Sequence, residues 1–84
     1  MKLTFSQTGW DDYLYWQTQD RKTIKKINLI IQDIARSGHD GLSKPEPLRG
    51  NLSGFYSRRI DEKHRLVYRI CENGCEIIQC RGHY

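Results

Sequence analysis

The chain has 84 residues, 29% of them charged, and its 14 Lys and Arg against 10 Asp and Glu leave a net charge of +4. This length bounds the protein to a single domain over 1–84 with a small core, and the composition excludes a disordered tail, a collagenous repeat and a coiled coil. The positive balance points to an anionic partner, no stretch has the apolar length of a membrane span, and Met1-Lys2-Leu3-Thr4-Phe5 lacks the apolar run of a signal peptide. The expectation is a soluble, cytoplasmic protein with no membrane partner.

Lys2–Phe5 alternates polar and apolar residues and reads as a strand. Ser6 or Thr8 caps the helix that follows, with Asp11 and Asp12 in its first turn, where the helix dipole favours negative charge. Trp10, Tyr13, Leu14 and Gln17 fall at helical spacing, so the aromatic cluster Tyr13-Leu14-Tyr15-Trp16 reads mostly as packing, with Tyr15 or Trp16 partly exposed. Asp20 caps a second helix whose apolar stripe is Ile24, Ile27, Ile31 and Ile34, with Ile30 beside it and Ser37-Gly38 as the stop. Residues 38–54 read as loop, centred on Lys44-Pro45-Glu46-Pro47-Leu48.

Three strands follow, over 54–60, 64–70 and 75–82. A three-residue loop Glu72-Asn73-Gly74 sets Cys71 opposite Cys75 and Arg65 opposite Arg81, and a loop at 61–63 sets Arg59 opposite Arg65. One face then carries Tyr56, Ile60, Leu66, Tyr68, Ile70, Ile78 and Cys80, with Arg58 as the exception. That is the expected core face, covered by the helices. The other carries Phe55, Ser57, Arg59, Arg65, Val67, Arg69, Ile77, Gln79, Arg81 and His83, a basic wall with Arg59, Arg65, Arg81 and His83 at one end. A two-residue turn is disfavoured because it slips Arg81 and His83 onto the apolar side. The architecture expected is α+β, two helices on one face of a twisted, mainly antiparallel sheet.

Three cysteines, Cys71, Cys75 and Cys80, are an odd number and argue against a disulfide framework. With His83 they offer four metal ligands, but the strand reading puts Cys75 and His83 on one face and Cys80 on the other, so no metal is expected. The basic wall suits a different chemistry. Cleaving RNA with its own 2′-hydroxyl needs a base for that hydroxyl, positive charge on the phosphate and an acid for the 5′-oxygen. His83 is the acid candidate, since imidazole titrates near neutrality. Glu46, aimed by Pro45 and Pro47, is the base candidate. Arg65 stabilises the transition-state charge, while Arg49, Arg59 and Arg81 hold phosphates. Taken singly, a terminal histidine and a loop glutamate are ordinary solvated groups; their company on one basic face is what marks them. No cofactor is expected. Arginines around His83 disfavour its protonated form, which a substrate phosphate and Glu46 would offset.

The segments Trp10-Asp11-Asp12-Tyr13-Leu14-Tyr15-Trp16-Gln17, Lys44-Pro45-Glu46-Pro47-Leu48, Asn51-Leu52-Ser53-Gly54-Phe55-Tyr56-Ser57-Arg58-Arg59-Ile60, His64-Arg65-Leu66-Val67-Tyr68 and His83-Tyr84 closely resemble the YoeB toxins of the RelE superfamily. The resemblance implies a microbial-ribonuclease-like fold and an mRNA interferase that cuts messages in the A site of the 70S ribosome. By carry-over it implies Glu46 as general base, His83 as general acid, Arg65 on the transition-state phosphate, Arg59 on a phosphate and Tyr84 as part of the site. The product implied ends in a 2′,3′-cyclic phosphate or a 3′-phosphate. It implies a YefM-like antitoxin whose tail covers the basic site, and operator DNA reached only through that complex. A homodimer is left open. Three positions depart from the family pattern: Arg49 stands where lysine is common, Tyr56 where tryptophan is common, and Gly82 replaces a bulkier residue, with a looser His83-Tyr84 end expected. The rival reading is a non-catalytic module that only binds RNA, ribosome or antitoxin through the basic face.

Overall fold

The computed structural model describes residues 1–82. Its elements are β1 (Lys2–Phe5), α1 (Gln7–Gln19), α2 (Arg21–Ser37), β2 (Glu46–Pro47), a 3-10 turn (Gly50–Leu52), β3 (Tyr56–Arg59), β4 (Arg65–Cys71) and β5 (Gly74–Gln79). The five strands form one sheet in the order β1-β5-β4-β3-β2, with β1 parallel to β5 and the other pairs antiparallel. The α+β architecture is the one expected. Among the described residues no helix is long and apolar enough to cross a membrane.

Each helix starts on a side-chain cap. Ser6 Oγ accepts from Gly9 N–H at 3.0 Å, and Asp20 Oδ1 accepts from Lys22 and Thr23 N–H at 3.0 and 3.2 Å. Because the first helix begins at Gln7, Asp11 and Asp12 lie beyond its first turn and do not serve the dipole there. Asp11 instead accepts from Gln7 Nε2, one turn back.

The buried stripe of α1 is also offset from the expected one. Trp16 is buried, while Trp10 and Leu14 are 43% and 40% exposed and Tyr15 is at the surface. Gly9 sets this rotation. A Cβ there would strike the Ile77 carbonyl, so the helix backbone lies directly on β5. In α2, Ile27, Ile30 and Ile34 are buried with Thr23, whereas Ile24 and Ile31 are half-buried; Ile30 is central to the stripe.

The β4–β5 register departs from expectation and then returns to it. The turn is the two residues Glu72-Asn73, with Cys71 opposite Gly74, Ile70 opposite Cys75 and Tyr68 opposite Ile77. The next pair is Val67 with Gln79, so Ile78 is an extra residue, a β-bulge. Ile77 therefore enters the core, fully buried, in place of Ile78, and Cys75 joins it. Past the bulge the alternation is restored, with Cys80 buried and Arg81 exposed. The tight turn thus avoids burying Arg81. Ser6 satisfies both bulge carbonyls, its N–H donating to Ile77 O at 2.9 Å and its hydroxyl to Ile78 O at 2.6 Å.

Part of the segment read as loop is an edge strand: Glu46 pairs with Ser57 and Pro47 with Tyr56. Proline lacks a ladder donor, which is tolerated at an edge. Arg58, the exception on the core face, is fully buried and uses all five of its N–H donors. Nε donates to Tyr68 Oη at 3.2 Å, Nη1 to Asp33 Oδ2 and Leu42 O at 2.7 and 2.8 Å, and Nη2 to Gly38 O and Asp40 O at 2.7 and 3.0 Å.

Two substitutions test these contacts. Gly9→Ala raises intrinsic helix propensity yet should lower the urea midpoint, by about 1–3 kcal/mol of stability, because the added methyl forces α1 off β5. Arg58→Leu should cost about 3–5 kcal/mol in the same measurement, since Asp33 and the loop carbonyls lose their buried counter-charge and donors.

Candidate active site

Paired residues on neighbouring strands share a face, and residues two apart on one strand do too. Glu46 is opposite Ser57, Ser57 is opposite Val67, and Arg59 is opposite Arg65. Glu46, Arg59 and Arg65 therefore lie on the face away from the helices. From Glu46 to Arg65 is two strand spacings across, roughly 10 Å, and two residues along, roughly 7 Å. Glu46, Arg59 and Arg65 thus project from one face of the sheet within a backbone span of roughly 12 Å. Ser57 and Val67 are buried, so the face is not one continuous basic wall; exposed Arg59 and half-buried Arg65 stand toward one end of it and the ion-paired Arg69 toward the other.

The loop before Glu46 is tied at several points. Arg58 gathers Gly38, Asp40 and Leu42, and Asp33 Oδ2 also accepts from Leu42 N–H at 2.9 Å. Arg59 N–H donates to Ser43 O at 2.8 Å, and Leu48 N–H to Phe55 O at 2.9 Å. The segment is thus laid along β3 on both sides of Glu46. Ser43 and Lys44 take positive φ angles of 63° and 53°, a left-handed kink just before Pro45. The Arg58 guanidinium also acts electrostatically: its hydrogen bond holds the Asp33 carboxyl below its usual range. His39, stacked on Tyr56 at 3.5 Å, titrates below the ordinary histidine value because of burial first and Arg58 second.

The other arginines separate by environment. Arg49 is exposed at the start of the 3-10 turn. Arg69 is paired with Glu76 at 2.8 Å on the surface, a contact of small energetic weight. Arg81 departs from the face expected of it: its guanidinium carbon lies 3.6 Å from the ring centroid of Tyr15, so the side chain is drawn to α1.

Beyond β5 the chain is held by side chains and by one main-chain bond from β4. Cys80 N–H donates to Asp12 Oδ2 at 3.0 Å, and Cys80 O accepts from Trp16 Nε1 at 2.8 Å. Burial raises the pKa of Asp12, and this N–H donor opposes the rise. Gly82 O accepts from Arg65 N–H at 3.0 Å. The chain therefore reaches residue 82 at the Arg65 end of the face. Gly82 has a φ of 83°, and both of its backbone polar groups are bonded, so here glycine serves a defined conformation. His83 and Tyr84, the other expected site residues, lie outside the described residues.

Burial pushes the thiols of Cys75 and Cys80 up to about 11 and about 12, which keeps both protonated and unreactive. Among the described residues no three His, Cys, Asp or Glu side chains form a metal-binding group. Sequence reasoning passed over Arg58, Asp12, Tyr15 and His64 as contributors to the site. Only Arg58 left a signal, an arginine at an apolar position, which calls for a buried partner.

A mixed sheet backed on one side by two helices, with a carboxylate and arginines on its other face, defines a small basic α+β protein of RelE-like fold. A model of the YoeB-like toxin of bacterial type II toxin–antitoxin systems matches residues 5–84. Toxin YoeB of Escherichia coli O6:H1 is 56% identical over all 84 residues, covering the whole of both chains. The YoeB/ParE toxin from Agrobacterium tumefaciens superposes with a TM-score of 0.96 at 48% identity, again over the whole of both chains. YoeB of Staphylococcus aureus, solved as a YoeB–YefM complex, gives 0.93 at 45% identity, covering 100% of this chain and 98% of the other. Its dimer structure gives 0.93 at 46% with the same coverage. The chain belongs to the YoeB family of toxins of type II toxin–antitoxin systems.

The depressed pKa of His39 carries a sign. Between the folded value and the ordinary one near 6.5, the unfolded chain binds more protons. Stability is therefore complete above about pH 6.5 and declines as pH falls through the folded value. Urea midpoints measured across that window should show this slope, and His39→Gln should flatten it.

Proposed function

We propose that this toxin is a ribosome-dependent endoribonuclease that cuts mRNA in the A site of the 70S ribosome and so blocks translation in the cytoplasm. The observation that carries the reading is the placement of Glu46, Arg59 and Arg65 on one face of the sheet in a chain of the YoeB family.

In this mechanism Glu46 takes the proton of the 2′-hydroxyl, and the 2′-oxygen attacks phosphorus. Arg65 meets the charge that grows on the non-bridging oxygens, with Arg59 and Arg49 on neighbouring phosphates. Arg81, stacked on Tyr15, adds positive charge at the rim. His83 gives a proton to the departing 5′-oxygen, and Tyr84 completes the site. The bond formed is 2′-O–P and the bond broken is P–O5′, which leaves a 2′,3′-cyclic phosphate that hydrolyses to a 3′-phosphate. Every proton is accounted for by side chains, so the scheme uses no metal or cofactor.

The partner is a YefM-like antitoxin, in keeping with the YoeB–YefM complex from Staphylococcus aureus. An acidic tail laid over Arg59 and Arg65 would exclude RNA, and operator DNA is reached only through that complex. A homodimer is the second assembly, as in the YoeB dimer from the same organism.

Primer extension on purified ribosome complexes tests the enzyme. The wild type should give A-site cuts, while Glu46→Ala, Arg65→Ala and His83→Ala should each lose about 10²-fold or more in rate with ribosome binding retained. A wild type that binds ribosomes and leaves the message whole would establish the binding module instead. Equal cutting of naked and ribosome-bound RNA would sink the ribosome requirement.

A further inference from the structure

His64 stands at the junction of β3, β4 and the end of the chain, and no step of the reaction uses it. Its backbone is pinned: His64 N–H donates to Asp61 Oδ1 at 2.7 Å, and its carbonyl accepts from Ile60 N–H at 3.0 Å and Asp61 N–H at 3.3 Å. Its ring stands edge-on to the buried Trp16, with centroids 4.8 Å apart. From that seat Nδ1 accepts the Gly82 N–H at 2.7 Å. Accepting this bond uses the Nδ1 lone pair, which leaves Nε2 as the ring's N–H in this arrangement.

We propose that His64 is a positioning residue for the cleavage reaction: through Nδ1 it holds Gly82, and with it the chain that leads directly into His83. The inference rests on the cleavage reading above. Three observations support it. β5 ends at Gln79, and one main-chain bond, from Arg65 N–H of β4, reaches residue 82. The positive φ of Gly82 is maintained by two bonds, one from Arg65 N–H and one to the His64 ring. The same two adjacent residues, His64 and Arg65, thus join the arginine assigned to the transition state to the segment that carries the assigned acid. A small displacement of an acid from its leaving oxygen is enough to slow a reaction by about 100-fold.

The test compares His64→Leu, which removes the acceptor, with His64→Asn, whose Oδ1 can stand where Nδ1 does. In ribosome cleavage assays His64→Leu should lower kcat by about 10- to 100-fold with KM for the ribosome complex unchanged, and His64→Asn should recover most of that loss. Amide exchange supplies a readout independent of catalysis: the Gly82 N–H should be protected in the wild type and in His64→Asn, and exposed in His64→Leu. A wild-type kcat in His64→Leu would overturn the proposal. So would losses in both variants that simply follow their melting temperatures. If the wild type cuts nothing, the cleavage reading fails by itself, and the positioning role falls with it even where Gly82 is protected.

Discussion

A guanidinium taken out of water must find acceptors for all five N–H groups and a counter-charge, or its burial is unfavourable by several kcal/mol. Arg58 meets that demand completely, and in doing so joins parts of the chain that local propensity would leave independent. Asp33 comes from α2, Tyr68 from β4, and the carbonyls of Gly38, Asp40 and Leu42 from the connection that leads to Glu46. That connection holds few apolar residues to bury, so the arginine supplies the attachment that a hydrophobic contact would otherwise provide. Because Arg59 follows Arg58 on the same strand, one buried charge sets both the strand that carries Glu46 and the position of Arg59. The two neighbours point to opposite faces, one building the site and the other lining it.

The opposite end of the site is held by a different device. There β5 has ended, and acceptors and donors from α1, the β3–β4 turn and the first residue of β4 take over residue by residue: Asp12 and Trp16 on Cys80, His64 and Arg65 on Gly82. This works because α1 lies unusually close to β5, with Gly9 against the Ile77 carbonyl and Ser6 serving the bulge. The bulge belongs to the same arrangement. It lets a two-residue turn keep Cys75 and Ile77 inside while returning Cys80 to the core and Arg81 to the surface. Among the described residues the one fully buried cation, Arg58, is neutralised by Asp33.

Much of this was legible along the chain. A cap at Ser6 or Thr8 and another at Asp20, the isoleucine stripe of α2, the three C-terminal strands and the Arg59–Arg65 pairing all follow from local chemistry or period, which a sequence states directly. The errors were of one kind. Ile77 and Ile78 are chemically equivalent, so alternation could not choose between them, and the choice fell to Ser6 and Gly9 seventy residues away. Trp10 and Leu14 have the same apolar character as Trp16, and only the approach of Gly9 to β5 decided which of them is buried. Glu46-Pro47 reads as loop because two residues carry no period; it is a strand because β3 offers an unpaired edge.

The amino-acid sequence by itself determined the class of the protein: a basic α+β chain whose motifs match the YoeB toxins, with a carboxylate between two prolines and arginines on alternating strand positions. Those are properties of residue type and spacing. Tertiary structure decided which residues act together, because burial and hydrogen-bond satisfaction are settled between segments distant in sequence. It made Arg58 a structural clamp, drew Arg81 from the open face onto Tyr15, and gave His64 a partner in Gly82. Each outcome depends on an acceptor or a ring supplied by another element, and no local pattern records where that element will lie.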